Sequence, residues 1–199
     1  MKYITIHNTD NYSKGANAKA HANYLKNVNN KVSWHYTVDD TEVYHHLPDN
    51  EAGYHTGDGM GIKSGNLNSI GVEICVNSDG DLRKATDNAV ELVKKLMKKH
   101  NIPIENVVQH NYWSGKNCPR ELRNGNPYSW EEFIKKVSDT TMGEVRYKTV
   151  QEMPDWAKEP IQGLIDKGIL SGRGGEAGLD LSDDMVRVLI LAKKIFEEG

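Results

Sequence analysis

The sequence predicts an α/β domain, a mixed central β-sheet flanked by helices, followed by a small helical C-terminal domain. Three observations predict it. An alternating, β-branched segment at Lys2–His7 and an apolar run at Ser69–Val76 have the patterns of strands. Thr86–His100 carries an apolar stripe at helical spacing. The stretch around Ser138–Lys148 is polar and breaks the apolar rhythm, so a boundary lies there.

Taken in order, Lys2–His7 (KYITIH) is a strand that ends on a histidine, which puts that imidazole at the edge of a sheet. Gly15–Asn27 is rich in alanine, with Ala18, Ala22 and Leu25 at helical spacing, and predicts a first helix. Trp34–Asp39 and Glu42–His46 form a hairpin pattern whose turn, Asp40 and Thr41, lacks the usual glycine. The segment Asn50–Asn68 holds Gly53, Gly57, Gly59, Gly61 and Gly65 and no periodicity, so it is a loop long enough to form a functional surface. Ser69–Val76 (SIGVEICV) is interrupted only by Glu73, the pattern of a central buried strand, and a carboxylate there needs a reason.

Within Thr86–His100, Ala89, Leu92, Val93, Leu96 and Met97 share a stripe, with acidic residues early and lysines late as the helix dipole prefers. Val107–His110 ends a short strand, and Ser129 and Glu132 stand at capping-box spacing at the head of a helix through Val137. The division expected is a first domain over residues 1–138, a linker over 139–148 and a small helical domain over 149–199. In the last, Trp156–Lys167 and Ser182–Glu197 are two helices joined by a glycine-rich connection. A unit of this size has a small core, which favours a partner or a second copy.

The 199 residues, 37% hydrophobic and 27% charged, suit a globular chain with a real core, and the net charge of −3 excludes a broad phosphate-binding surface. Nucleic acid is therefore not an expected partner. No run approaches the roughly 18–20 apolar residues that span a bilayer, and MKYITIHNTD lacks the apolar region of a secretory signal. The expectation is a chain that stays initially in a cytoplasm and does not insert in a membrane. Cys75 and Cys118 cannot build a disulfide framework.

His7, His110 and Cys118 occur at strand ends or in the loop after one. Two imidazoles and a thiolate leave a fourth tetrahedral position for water, the arrangement of a catalytic zinc site. The same residues also fit two half-buried histidines and a buried thiol. Lys116, just before Cys118, either lowers the thiol pKa and faces the same reaction centre or is a solvated loop lysine. Glu73 is the candidate base for a zinc-activated water, its alternative being a salt bridge within the sheet. Lys116 and His35 are candidates to stabilise a developing oxyanion. His45 and His46 point to opposite sides of a strand and cannot easily share a metal, and Cys75 is most simply a buried thiol.

The segments ITIHNTD, SWHYTVDD, GYHTGDG, NSIGVEIC, VVQHNYW and GKNCPR stand in the order and rough spacing of the type-2 N-acetylmuramoyl-L-alanine amidases, and the chain resembles that family over about its first 138 residues. The family includes phage endolysins and the peptidoglycan recognition proteins. The resemblance implies zinc held by His7, His110 and Cys118, a catalytic Glu73 and a lysine at Lys116. It implies hydrolysis of the amide between N-acetylmuramic acid and L-alanine, with peptidoglycan as partner. Some members carry a tyrosine where this chain has Trp34; an indole cannot titrate near neutral pH, so reliance on Glu73 rises. Trp34, His35 and His55 are expected to line the substrate groove, although His55 also fits a loop histidine with local hydrogen bonds.

The tail resembles helical parts of wall-binding modules attached to endolysins; a plain helical appendage is its alternative. The expected setting is a phage or prophage endolysin held in the host cytoplasm until it reaches the wall. The rival readings are a bacterial autolysin and a peptidoglycan-binding protein without catalysis, and Cys118 argues against the latter.

Overall fold

A computed structural model describes residues 1–27, 31–139, 146–172 and 178–197. Contacts divide the chain into a first unit, Met1–Asp139, and a second, Thr140–Gly199. Most of the expected linker, residues 140–145, lies outside the described residues, as do 173–177 of the glycine-rich connection.

The first unit contains β1 (Tyr3–Asn8), α1 (Ala18–Leu25), β2 (Tyr36–Val38), β3 (Val43–His45), α2 (Gly65–Asn68), β4 (Ser69–Ile74), α3 (Leu82–His100), β5 (Val107–Gln109), α4 (Asn111–Ser114), α5 (Arg120–Arg123) and α6 (Trp130–Ser138). The strands form one sheet in the order β3-β2-β4-β1-β5. β2, β4, β1 and β5 run parallel, and β3 is the antiparallel edge. The sheet is thus mixed, as expected.

β4 is central, but its residues alternate rather than forming a uniformly apolar run. Ile70, Val72 and Ile74 join Ile4, Ile6, Tyr36, Val38 and Val107 in the core, where Ala85, Ala89, Val90, Val93 and Leu96 of α3 and Phe133 and Val137 of α6 cover them. Ser69, Gly71 and Glu73 therefore face the other side, level with Tyr3, Thr5 and His7 of β1. One face holds the fold together and the opposite face is left for chemistry.

Local signals account for the element ends. The turn between β2 and β3 dispenses with glycine because Asp39 Oδ1 accepts from the backbone N–H of Thr41 (2.8 Å) and Glu42 (2.6 Å). α3 begins before Thr86 because the Asp81 side chain accepts from Lys84 N at 3.0 Å. It ends with Lys98, Lys99 and His100 in its last turn and Asn101 in the left-handed region at φ 52°. Ser129 Oγ accepts from Glu132 N at 3.2 Å and starts α6. The single-turn helices α2, α4 and α5 are too short for any periodic signal.

The second unit holds β6 (Arg146–Tyr147), α7 (Asp155–Asp166), β7 (Leu181–Ser182) and α8 (Asp183–Glu197). Its core gathers Tyr147, Met153, Ala157, Ile161, Leu164, Leu181 and Val186. The helices fall where the apolar spacing puts them. The antiparallel β6–β7 pair is an addition, since strands of two residues leave no alternation to detect.

Candidate metal centre and groove

Ligands of open α/β sheets collect at the carboxyl ends of parallel strands, and three such ends meet here. His7 is next to last in β1, Glu73 is its register partner in β4, and His110 follows β5 with its N–H on Ile6 O at 3.2 Å. Cys118 comes back to the same point because the loop after α4 is stapled to it: Asn111 N donates to Cys118 O (3.0 Å) and Asn111 Nδ2 to Lys116 O (2.9 Å). His7 Nδ1 lies 3.0 Å from His110 Nδ1 and 3.9 Å from Cys118 Sγ. The ligand atoms of His7, His110 and Cys118 all lie within 4.8 Å of one another, and all three residues are buried.

The long glycine-containing loop supports these ligands from behind. Asn66 Oδ1 accepts from His55 N (2.8 Å), Thr56 N (2.9 Å) and Thr56 Oγ1 (2.8 Å), which fixes the backbone at this point. Thr56 O then accepts from His110 Nε2 at 2.8 Å, so the proton of His110 sits on Nε2 and Nδ1 faces the site as a lone pair. His55 Nδ1 is 3.0 Å from His7 Nε2.

Burial holds His7 well below its usual range, with His55, His110 and Lys116 adding to it, and burial likewise lowers His110. Burial pushes Cys118 up to about 12, with Glu73 contributing. Burial also raises Glu73 to about 8, opposed by Lys116. Its Oε2 is buried without a hydrogen-bond partner, while the side chain keeps 13% of its exposure toward the cavity. Neutral imidazoles are what a metal needs, and a thiol and carboxyl whose burial the Lys116 charge only partly offsets are what a cation would relieve.

Bonds of about 2.0–2.3 Å at tetrahedral angles set ligand atoms roughly 3.3–3.7 Å apart, a range that the 3.0 Å and 3.9 Å contacts of His7 bracket. The donor set of two neutral imidazoles and a thiol fits zinc.

That cavity, of about 560 Å³, is bounded by Lys31, Trp34, Tyr54, Gly57, Ser114 and Lys116 around the ligand cluster. A second, of about 350 Å³, is bounded by His21 and Tyr24, and the two share Val32, Trp34 and Glu73. Trp34 is a groove wall, its indole N–H donated to Thr37 Oγ1 at 2.7 Å. Lys116 lines the larger cavity beside Cys118.

His35 does not line the groove or reach an oxyanion. It is fully buried, its Nδ1 accepts from Gly71 N (2.9 Å) and its Nε2 donates to Glu51 O (3.0 Å). His55 borders the cavity but spends Nδ1 on His7 rather than holding it toward bound material. His45 and His46 diverge as expected, His45 to Asp49 (3.2 Å) and His46 to Thr37 Oγ1 (2.9 Å). Sequence reasoning missed Thr56, Asn66 and Asp58, which accepts from Thr56 Oγ1 (2.5 Å) at Oδ1 and from Gly65 N (2.7 Å) at Oδ2. The only signal was the pairing of Asp and Asn with glycine in a loop otherwise without pattern.

The sequence model of the N-acetylmuramoyl-L-alanine amidases matches residues 1–121. The N-acetylmuramoyl-L-alanine amidase XlyA of Bacillus subtilis (strain 168) is 60% identical over 180 residues, 83% of this chain and 59% of its own. The amidase CwlH of the same organism is 53% identical over 138 residues, 69% of this chain and 53% of its own. The chain thus spans between about a half and three fifths of the length of these relatives. The structure of the catalytic domain of XlyA superposes with a TM-score of 0.65 at 57% identity, covering 69% of this chain and 86% of that one. At 83% of the chain, the XlyA match runs past Asp139 into the second unit.

Proposed function

We propose, from the premise that the chain belongs to the N-acetylmuramoyl-L-alanine amidase family, that it is a zinc-dependent hydrolase of the amide between N-acetylmuramic acid and L-alanine in peptidoglycan. The observation that carries this is the convergence of His7 Nδ1, His110 Nδ1 and Cys118 Sγ beside Glu73, whose Oε1 lies 3.9 Å from His7 Nδ1 and whose Oε2 has no hydrogen-bond partner. His7, His110 and Cys118 would hold the ion. When bound, zinc supplies Lewis-acid polarisation of a carbonyl and a more acidic water.

The remaining chemistry belongs to the chain. Glu73, with positive charge beside it to offset its burial, accepts the proton of the attacking water through Oε2. The water's oxygen bonds to the carbonyl carbon, and the Lys116 ammonium faces the charge that develops on the carbonyl oxygen. As the carbon–nitrogen bond breaks, Glu73 passes its proton to the departing L-alanine nitrogen. The products are a lactyl carboxylate and a new amino terminus. Trp34 and Tyr54 wall the groove along which the glycan and stem peptide lie.

Release of amino termini from purified walls, with and without chelator, tests the reading. Chelation should abolish release and zinc restore it; release indifferent to chelator, or none with zinc bound, would sink it. Cys118→Ser should lose most bound zinc and activity together. The second unit, with a core of its own, is proposed to bind the wall and raise the local concentration of the first. The setting we propose is a phage-type endolysin kept in the host cytoplasm, and no helix among the described residues is long and apolar enough to cross a membrane. Cytoplasmic expression should leave cells intact until a separate membrane lesion is made.

A further inference from the structure

His55 is built into the site with more care than a groove wall requires. Its ring stands edge-on to His7 (centroids 5.1 Å apart) and to His35 (5.8 Å). A Cβ at Gly71 would lie 2.8 Å from His55 Nδ1, so β4 needs glycine there for the ring to fit at all. Its backbone is held by Asn66, as described above, and burial keeps the ring neutral. Yet Nε2 of His55 is buried with no hydrogen-bond partner.

We propose that His55 is a positioning residue for the metal centre: it sets the tautomer of His7 and moves its own ring proton from Nδ1 to Nε2 when the ion binds. The inference rests on the zinc reading of the His7, His110 and Cys118 cluster. It follows from counting protons along the chain of contacts. A backbone carbonyl only accepts, so His110 keeps its proton on Nε2 toward Thr56 O whether or not an ion is bound. Without an ion, the 3.0 Å contact between the two Nδ1 atoms needs one hydrogen, and only His7 can supply it. His7 Nε2 is then bare, and His55 Nδ1 donates to it.

With an ion on His7 Nδ1, the His7 proton sits on Nε2 and points at His55. His55 Nδ1 must then be bare and its proton on Nε2. All three rings are neutral in both states, so protons are relocated and the imidazoles neither gain nor lose charge. Cys118 alone gives one up as it becomes a thiolate. His55 can follow His7 because its Nε2 has no partner at hydrogen-bond distance, and the Ser69 backbone group drawn to the ring is a weaker influence on it than burial. His35, tied to Gly71 N–H at one nitrogen and Glu51 O at the other, could not.

Long-range proton–nitrogen NMR of the imidazoles in the full chain, metal-free and zinc-loaded, tests this without any substitution. His7 and His55 should both exchange tautomers while His110 stays protonated at Nε2. A His55 tautomer that is the same in both states overturns the proposal. His55→Leu, which occupies the slot without a polar atom, should weaken zinc in a chelator competition by about 10–100-fold. His55→Asn, whose amide can turn either its oxygen or its nitrogen to His7, should remain near the unsubstituted protein. A folded His55→Leu that holds zinc as tightly as the unsubstituted chain also overturns it. These readouts use no peptidoglycan: exchange without wall hydrolysis would remove the amidase reading alone, and hydrolysis without exchange would remove this one alone.

Discussion

Glu73→Gln separates the chemistry of the carboxyl from its cost to the fold. Without a metal, burial pushes the carboxyl up to about 8 from a reference of 4.5. Between those values the unfolded chain has lost a proton that the folded chain retains, so stability falls as pH rises through the window. At about 1.4 kcal/mol per pKa unit, a rise from 4.5 to about 8 sets a ceiling of roughly 5 kcal/mol. The partial exposure of the side chain and the nearby Lys116 relax it, so a difference of about 2–5 kcal/mol is expected at alkaline pH. Gln has no proton to lose. Urea unfolding of chelator-treated proteins should show the two equal near pH 4.5, with Gln progressively more stable up to pH 8 and the gap level above it. The zinc-loaded variant should bind the same amount of metal but lose about 10²–10⁴-fold in rate on walls. Parallel stability curves across this range, or turnover within about tenfold of the unsubstituted enzyme, would refute the assignment.

Lys116→Met should lower the rate by about 10²-fold with zinc content unchanged, measured by amino-terminus release; an unchanged rate removes Lys116 from the oxyanion. Asp49→Ala leaves the buried acceptor side of Tyr36 (2.5 Å), His100 (2.7 Å) and the exposed Lys99 (2.6 Å) empty. Its cost is roughly 3 kcal/mol, mostly from Tyr36 and His100, read as a lowered Tm with activity retained in the cold. Burial alone would raise the Asp49 carboxyl, but hydrogen bonds from Lys99, Tyr36 and His100 hold it well below the usual range. Its stabilisation is therefore full above about pH 4 and fades as acid is added, so the gap to Asp49→Ala should close at low pH. Gly65→Ala puts a methyl 2.6 Å from the Trp113 indole and 2.7 Å from Thr56 Cγ2. It should cost about 1–3 kcal/mol and loosen zinc through Thr56; unaltered unfolding would contradict the packing.

The strands and the long helices were legible because each has a period, and His7, Glu73 and His110 were legible because they break a strand pattern at or near its end. Cys118 and Lys116 stood out only in company, since a loop has no period to break. His35 was misjudged for a reason of level rather than of face. It lies on the same face as Glu73, but its N–H bonds to Gly71 O, one alternation below the site. The segment from Glu51 to His55 closes over that level. The supporting contacts were illegible altogether: Thr56 acts through its carbonyl oxygen, which every residue possesses, and only the fold says which one is aimed.

The polar face of the sheet therefore has two storeys. At the strand ends stand His7, Glu73 and His110, and beneath them His35, Gly71 and Thr5. The lower storey is uncharged and internally satisfied: Trp113 Nε1 donates to Thr5 Oγ1 (2.8 Å), Thr5 to Ser69 Oγ (2.8 Å), and Ser69 to Gly65 O (2.8 Å). Such a floor offers no counter-charge and no spare donor to the groups above it. That is why Glu73 and Cys118 are driven toward their neutral forms and the imidazoles away from theirs charged. A floor that stabilised Glu73 by itself would lower its basicity and weaken its call on a proton. With the floor neutral, the positive charge that the proposed ligand and base roles of Cys118 and Glu73 call for has to come from the groove side, from Lys116 and, on the zinc reading, from an ion.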